Sequence, residues 1–168
     1  EISLDSVHGG SGEYTVVGNV CCAMGNCAWS DQAVDRLAQT AELLCAVTSL
    51  LESGNDWACG HAARTLGNLA FSTECTSKVA AMPTLKGAIL GAVGGLVAPL
   101  YPERTQARSL HAIANLVGDD NLCIAMLRVP DLYASLNEIR TQGFTGEEPP
   151  NEESEEHLRR ALARMSQV

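Results

Sequence analysis

Apolar residues recur along this chain at intervals of three and four, the spacing that places side chains on one face of an α-helix. The clearest stripe is formed by Ala58, Ala62, Leu66 and Leu69. Related stripes occur in the segments 13–29, 40–51, 103–117, 130–140 and 155–165. No long segment alternates strictly between apolar and polar residues, as a half-buried strand would. The pattern therefore predicts an all-helical protein.

The first of these helices is expected to span residues 13–29 and to bury one face. Val16, Val20, Met24 and Cys27 follow one another at steps of four, four and three, so that they share that face. We therefore predict that these four side chains are the contribution of the N-terminal helix to the core.

Glycine and proline mark the ends of the predicted helices. Gly54 follows a predicted helix and is suited to a C-terminal stop, whereas Pro83 and Pro130 stand at helix starts, where proline is well tolerated. Gly91 and Gly94 fall inside a predicted helix, where each costs about 1 kcal/mol relative to alanine. We expect the helix that contains them to be kinked or partly unwound.

Three of the helices carry an asparagine at an equivalent place. Asn26, Asn68 and Asn115 each follow an apolar residue by two positions and directly precede another. Intervals of 42 and 47 residues separate the asparagines. A period of roughly 40 to 47 residues with helices inside each copy is typical of armadillo and HEAT arrays.

One of these helices supports a closer comparison. The segment 62–69 reads Ala-Ala-Arg-Thr-Leu-Gly-Asn-Leu and resembles the third helix of the armadillo repeat, over a region of similarity from 14 to 140. The resemblance implies an all-α, right-handed α-solenoid of about three armadillo-like repeats plus a C-terminal helix. In that family the third helices line a concave groove, where the asparagine holds an extended peptide. The tryptophan that often precedes it by four residues is replaced here by Cys22, Arg64 and His111.

A second resemblance concerns the order of short motifs along the chain. It is carried by Gly25, Asn26, Ala28, Asp31, Val47, Leu50, Leu51 and the segment 62–69. In this order the motifs are similar to the C-terminal repeat region of Fused-type serine/threonine kinases and related ciliary scaffold proteins. The resemblance implies a kinase domain before this chain and a cytoskeletal or ciliary location.

The repeats divide the chain into four parts. Residues 1–12 are rich in glycine and are expected to form a loop or the end of a preceding repeat. The armadillo-like array covers 13–140. Its units lie near 13–55, 56–102 and 103–140. Residues 141–154 combine glycine, proline and acids, which is typical of a flexible linker. Residues 155–168 form an amphipathic helix that either caps the last repeat or docks elsewhere.

The charge of the chain restricts its partners. The formal net charge is −9, and the acidic excess is concentrated between residues 147 and 156. Since the sequence shows no run of lysine and arginine, we expect no nucleic acid partner. The longest apolar run, residues 87–100, is shorter than the about 18 residues that a membrane span needs. The expected partner is a protein. Flanking repeats or domains of a longer native chain are also expected, because the chain begins without methionine.

Cysteine and histidine give little sign of chemistry. The seven cysteines lack metal-ligand or redox spacing, so free, buried thiols in a reducing, cytoplasmic compartment are expected. His61 and His111 have no further ligand at helical spacing. We therefore expect no metal, cofactor or catalytic residue. A pair formed by His61 with Cys22 or Cys59 stays open, since partners in space need not be close in sequence.

The candidate site is the surface that the asparagine helices share. Arg64 and His111 stand one turn before Asn68 and Asn115, and residues four apart face the same side. The expected partner-binding residues are Asn26, Arg64, Asn68, His111, Asn115, Cys22 and Arg108, with Arg104 further along the same helix. The asparagines have a second interpretation, in which each amide bonds a backbone carbonyl of the adjacent repeat.

These observations favour a non-catalytic interaction scaffold that binds a partner protein segment along the concave face. The alternative is a structural spacer that packs end to end within a larger assembly, which could be ciliary or contain a kinase. A catalytic or metal site built from cysteine and histidine is the remote alternative.

Overall fold

The computed structural model describes residues 12–28, 30–144 and 151–168, and within them the chain forms ten α-helices and no strand. The helices are α1 (Gly12–Cys27), α2 (Asp31–Ala38), α3 (Ala41–Leu51), α4 (Asp56–Leu69), α5 (Thr73–Ala81), α6 (Pro83–Gly95), α7 (Glu103–Leu116), α8 (Asp120–Met126), α9 (Leu132–Gln142) and α10 (Glu152–Met165). The all-helical prediction is confirmed. Most of the predicted N-terminal loop, together with Trp29 and the middle of the predicted linker, lies outside the described residues.

Four helices stack side by side and form the spine of the molecule. In this spine α1 packs against α4, α4 against α7, and α7 against α10. Two further helices connect each spine helix to the next. These connecting helices also stack on their counterparts, with α2 against α5, α5 against α8, and α3 against α6. Each unit therefore contacts its neighbours along one direction, which is the arrangement of an α-solenoid.

The C-terminal helix continues this stack. Of the two placements that the sequence left open, the structure shows the first, because α10 packs along α7 and also contacts α8 and α9. Its N-cap is Asn151, whose side chain accepts a hydrogen bond from the backbone N–H of Ser154. Leu158 and Met165 are buried, so the predicted apolar face of this helix is the one that docks.

The core follows the stack from end to end. The stripe predicted in α4 is buried completely, since Ala58, Ala62, Leu66 and Leu69 are all 0% exposed. The equivalent residues of α7 include Leu110 and Ile113, and the neighbouring helices add further leucines. The largest fully buried side chains are Leu44, Leu66, Leu69, Ile89, Leu96, Leu110, Ile113, Leu116, Leu122, Met126, Leu132 and Leu136. No described helix is both long and apolar enough to cross a membrane.

The N-terminal helix buries a different face from the predicted one. Val16 is 63% exposed and Val20 is 52% exposed, and Cys27 is also exposed, whereas Met24 is partly buried against the core. The buried residues of α1 are Gly18, Cys21 and Gly25. The prediction for this helix was wrong because α4 packs along the small residues, which let two helices approach closely, and not along the valines.

Most predicted helix ends agree with the structure. After α3, Gly54 has a φ of 71°, a left-handed conformation that favours glycine. α6 begins at Pro83 as expected and stays helical through Gly91 and Gly94 to Gly95, so that no unwinding occurs at these glycines. The last part of the same apolar run, residues 96–100, lies outside the helix. Gly94 is buried against Val129, and packing of this kind offsets the low helix propensity of glycine.

Candidate functional site

The spine helices carry one repeated set of side chains. In α4 the set is Trp57, His61, Arg64 and Asn68, and in α7 it is Arg104, Arg108, His111 and Asn115. In α10 the set is Glu153, His157, Arg160 and Arg164, and in α1 it includes Asn19, Cys22 and Asn26. Steps of four, three and four place each set on one side of its helix. We call the combined surface the spine face.

Two asparagines of the spine face join successive spine helices. The Nδ2 atom of Asn68 donates a hydrogen bond of 2.7 Å to the backbone carbonyl of Gly25. Asn115 donates in the same way to the carbonyl of Gly67, at 2.9 Å. Both asparagines are only 8% exposed. This geometry matches the interpretation in which each amide bonds the adjacent repeat.

The glycines that accept these bonds also allow the helices to approach. A Cβ atom placed on Gly67 would lie 2.6 Å from Nδ1 of His111, and one on Gly25 would lie 3.1 Å from Oγ1 of Thr65. Thr65 adds a hydrogen bond of 2.8 Å to the carbonyl of Cys21. The joints between α1 and α4 and between α4 and α7 thus each combine a glycine with polar side chains from the following helix.

Arginines occupy equivalent places in the first and last joints. Nη2 of Arg64 donates to Oδ1 of Asn26 at 2.9 Å, while its Nη1 lies 3.8 Å from the sulfur of Cys22. Nη2 of Arg160 donates to Oδ1 of Asn115 at 3.4 Å. These contacts bring Cys22, Asn26 and Arg64 together on the spine face, and they show that α10 contributes to it.

Three arginines form a positively charged patch in the middle of the spine face. The pKa of Arg108 is lowered to about 10, first by burial and then by the nearby positive charges of Arg104 and Arg64. Salt bridges between described side chains join Arg159 to Glu156 and Arg164 to Asp120. None of the three patch arginines forms a salt bridge with a described acid. We call Arg64, Arg104 and Arg108 the arginine patch.

His61 lies beneath this patch. It is 4% exposed, and its ring packs against that of Trp57 with 4.5 Å between centroids. Neither ring nitrogen has a hydrogen-bond partner among the described residues. Burial lowers the pKa of His61 to about 4, with the positive charges of Arg108, Arg104 and Arg64 acting in the same direction. The ring is therefore neutral at pH 7.

His111 is stacked on a second histidine. Its ring lies 4.7 Å from that of His157 on α10, with 23° between the ring planes. The pKa of His111 is lowered to about 4, mainly by burial and then by His157, whereas Glu153 opposes the shift. Burial also lowers the pKa of His157. The stacked rings form a contact between α7 and α10.

The cysteines show no arrangement for chemistry. All seven are free, as expected. Only four of them are buried, so the expectation of buried thiols holds in part. The thiol of Cys59 lies 3.4 Å and 3.3 Å from the carbonyls of Leu50 and Leu51, and the candidate pair with His61 is not formed. Among described side chains, no three His, Cys, Asp or Glu residues are grouped to hold a metal.

An open pocket borders the spine face at the C-terminal end of α4. Its volume is about 490 Å³, and its walls include Asn68, His111 and the apolar side chains of Ala28, Val34 and Phe71. Phe71 is 79% exposed, whereas most phenylalanine side chains of folded proteins are buried. The pocket offers a place for an apolar group beside the polar spine face.

The structure brings the predicted site residues to one surface and adds others. Sequence reasoning did not single out Trp57, His157, Arg160 or Phe71. Counting back eleven residues from Asn68 would have found Trp57. The residues of α10 could not be found in this way, because Arg164 stands where the other spine helices have asparagine.

The backbone is similar to that of solved repeat proteins. A designed armadillo repeat protein matches with a TM-score of 0.74 and 19% sequence identity over 95% of this chain and 61% of that protein. This chain has an armadillo-type fold. An engineered protein of known crystal structure matches with a TM-score of 0.71 and 21% identity over 94% of this chain and 60% of its own length.

These similarities concern the fold alone. The chain spans about three fifths of the length of each matching protein. No protein-family model matches the sequence. No curated protein matches it either. The Fused-type resemblance therefore stays a prediction.

Proposed function

We propose that this chain is a non-catalytic scaffold that binds a segment of a partner protein along the spine face, which corresponds to the concave side of an armadillo-type array. Stacked helical repeats commonly use such an extended surface for protein binding. The observation that carries the proposal is the repeated set of polar and aromatic side chains on four neighbouring helices, with the arginine patch at its centre.

The proposal assigns different tasks to the candidate residues. Asn68 and Asn115 use their amide N–H groups within the stack, so they hold the surface in shape. Arg108 and His111 are half-buried and face the same side, where they can contact a partner. Phe71 offers an apolar contact at the edge. A bound segment is thus expected to meet arginine, histidine and aromatic side chains before it meets the asparagines.

The division of the chain belongs to the same proposal. It retains three units near 13–55, 56–102 and 103–140, with a connecting segment and α10 after them. The proposal also includes a cytoplasmic location and a protein as the partner, and it includes no binding to nucleic acid or to a membrane. Flanking repeats of a longer chain would extend the spine face at either end.

A structural spacer is the second candidate. It is favoured by the bonding of Asn68 and Asn115 within the stack, since an amide N–H that is used in this way is not available to a peptide. A spacer would pack against neighbouring domains through its ends and leave the spine face empty.

Selection from a random peptide library displayed on phage separates the two candidates. Peptides selected on the native chain are tested on a variant with Phe71→Ser and Arg104→Ala, both exposed at the spine face. The matched control carries Leu100→Ser and Arg128→Ala, which change exposed residues of the same types elsewhere. Peptides that bind the control but not the face variant support the scaffold. A selection that yields no peptide, or only peptides that bind both variants equally, overturns it and favours the spacer.

A further inference from the structure

The arginine patch is exceptional in an acidic protein. The chain has a formal net charge of −9, yet it brings Arg64, Arg104 and Arg108 close together. The charges of Arg64 and Arg104 lower the pKa of Arg108, and all three arginines lower the pKa of His61. Like charges at this distance repel, and no described acid forms a salt bridge with them to offset the repulsion. Their clustering therefore does not stabilise the free chain.

Two of the three arginine side chains contact a neighbouring helix. Arg64 is held by its bond to Asn26. The side chain of Arg108 lies across α4 at Gly60, where a Cβ atom would be 3.1 Å from its Nη1. Because glycine leaves room there, the guanidinium rests on the neighbouring helix. Groups that are already ordered lose little entropy when they bind a ligand.

The patch is bordered by an aromatic ring. Trp57 is 46% exposed and packs on His61, the residue on which the charges of all three arginines act. His61 is neutral, so it adds no charge to the patch. The surface thus combines planar donors, which suit carboxylate groups, with an exposed apolar ring, which suits a side chain of the same ligand.

We propose that the segment bound on the spine face is an acidic peptide, whose aspartate or glutamate carboxylates pair with Arg64, Arg104 and Arg108 while an adjacent apolar side chain packs on Trp57. This inference rests on the proposed function. Complementary charge would direct the peptide to this part of the surface, because the patch attracts the peptide while the rest of the acidic surface repels it. A long polyanion such as nucleic acid fits less well, since it would extend beyond the patch onto acidic surface.

The test uses the peptides from the selection and two defined probes. The defined probes are a labelled glutamate-rich peptide that contains one leucine and its counterpart with glutamine in place of glutamate. Binding is measured by fluorescence anisotropy at low and at physiological ionic strength. The variant carries Arg104→Glu and Arg108→Glu. A control with Arg36→Glu and Arg128→Glu changes the net charge equally at exposed positions away from the spine face. Thermal unfolding of both variants verifies that they are folded.

The expected result is that the selected peptides are rich in aspartate and glutamate, and that the glutamate peptide binds more tightly than the glutamine peptide. Binding of the glutamate peptide should weaken at least about tenfold in the patch variant, and weaken with added salt, but stay within about twofold in the control. Selected peptides that need the spine face but are not acidic would refute this inference and leave the proposed function standing. Tighter binding of an oligonucleotide than of the glutamate peptide at the patch would also refute it.

Discussion

The side-chain amide of Asn115 donates a hydrogen bond of 2.9 Å to the backbone carbonyl of Gly67, which lies on the preceding spine helix. Asn68 bonds the carbonyl of Gly25 in the same way. Donor and acceptor are 48 and 43 residues apart in the two cases, so these bonds hold successive repeats together. The periodic asparagine therefore has a structural task.

Substitution of either buried asparagine should destabilise the chain. We expect Asn68→Ala and Asn115→Ala each to lower the free energy of unfolding by about 1 to 3 kcal/mol, because a buried carbonyl loses its partner. Asn26→Ala is the control and should change it by less than about 0.5 kcal/mol, since Asn26 is exposed. Urea unfolding gives the three values. Equal effects at Asn26 and Asn115 would contradict the role of the joints.

Two glycines inside helices should respond in opposite directions to alanine. Gly67→Ala is expected to cost about 1 to 3 kcal/mol, because its Cβ would lie 2.6 Å from the ring of His111. Gly91→Ala should stabilise by about 0.5 to 1 kcal/mol, since nothing lies within 4 Å of its Cβ and alanine is the better helix former. Melting temperatures of the two variants would show the contrast, and a stabilised Gly67→Ala variant would contradict close helix contact.

The buried histidine below the arginine patch should make stability depend on pH. The pKa of His61 is about 4 in the folded chain, against about 6.5 when unfolded, so below pH 6.5 the unfolded chain binds more protons. The free energy of unfolding should therefore fall as the pH drops from 7 towards 4. The substitution His61→Phe removes this pH-dependent contribution, which is on the order of 1 kcal/mol or more. It also keeps an aromatic contact with Trp57 and leaves no unpaired nitrogen.

Unfolding in urea at pH 7 and at pH 5 measures the effect. The difference in stability between the two pH values should be smaller for His61→Phe than for the native chain. The residual dependence should include His111, whose pKa is lowered to about 4 as well. An unchanged difference would show that His61 is not kept neutral by the fold.

Exposed Phe71 should matter for binding and not for stability. Phe71→Ser is expected to change the free energy of unfolding by less than about 0.5 kcal/mol, because the side chain is 79% exposed. It should nevertheless weaken the binding of selected peptides that carry an apolar residue. Anisotropy and urea unfolding on the same variant report the two properties, and a large loss of stability would contradict the exposed position.

The sequence predicts the buried helices of this fold better than its ends. In α4 and α7, neighbours on both sides fix the apolar stripe, so the positions from Ala58 to Leu69 are recognisable from spacing alone. In α1 the same reasoning selects Val16 and Val20, which are exposed. Spacing shows that a helix has an apolar stripe, but the neighbouring helix decides which face is covered, and here it covers the small residues.

The site shows the same limit. Asn68, Asn115 and the arginines beside them are visible in the sequence because the motif repeats. Whether an asparagine bonds a partner or its own stack depends on the distance between helices, which only the structure gives. The contribution of α10 is hidden as well, since Arg164 replaces the asparagine that would have revealed the repeat.

The joints of the stack all point in one direction, because each spine helix donates to the one before it. Removal of α10 would leave both asparagine bonds complete. Removal of α1 would take away the carbonyl of Gly25 and leave the amide of Asn68 without this partner. The protein thus has a polarity along its length: shortening from the C-terminal end leaves both asparagine links closed, whereas shortening from the N-terminal end opens one.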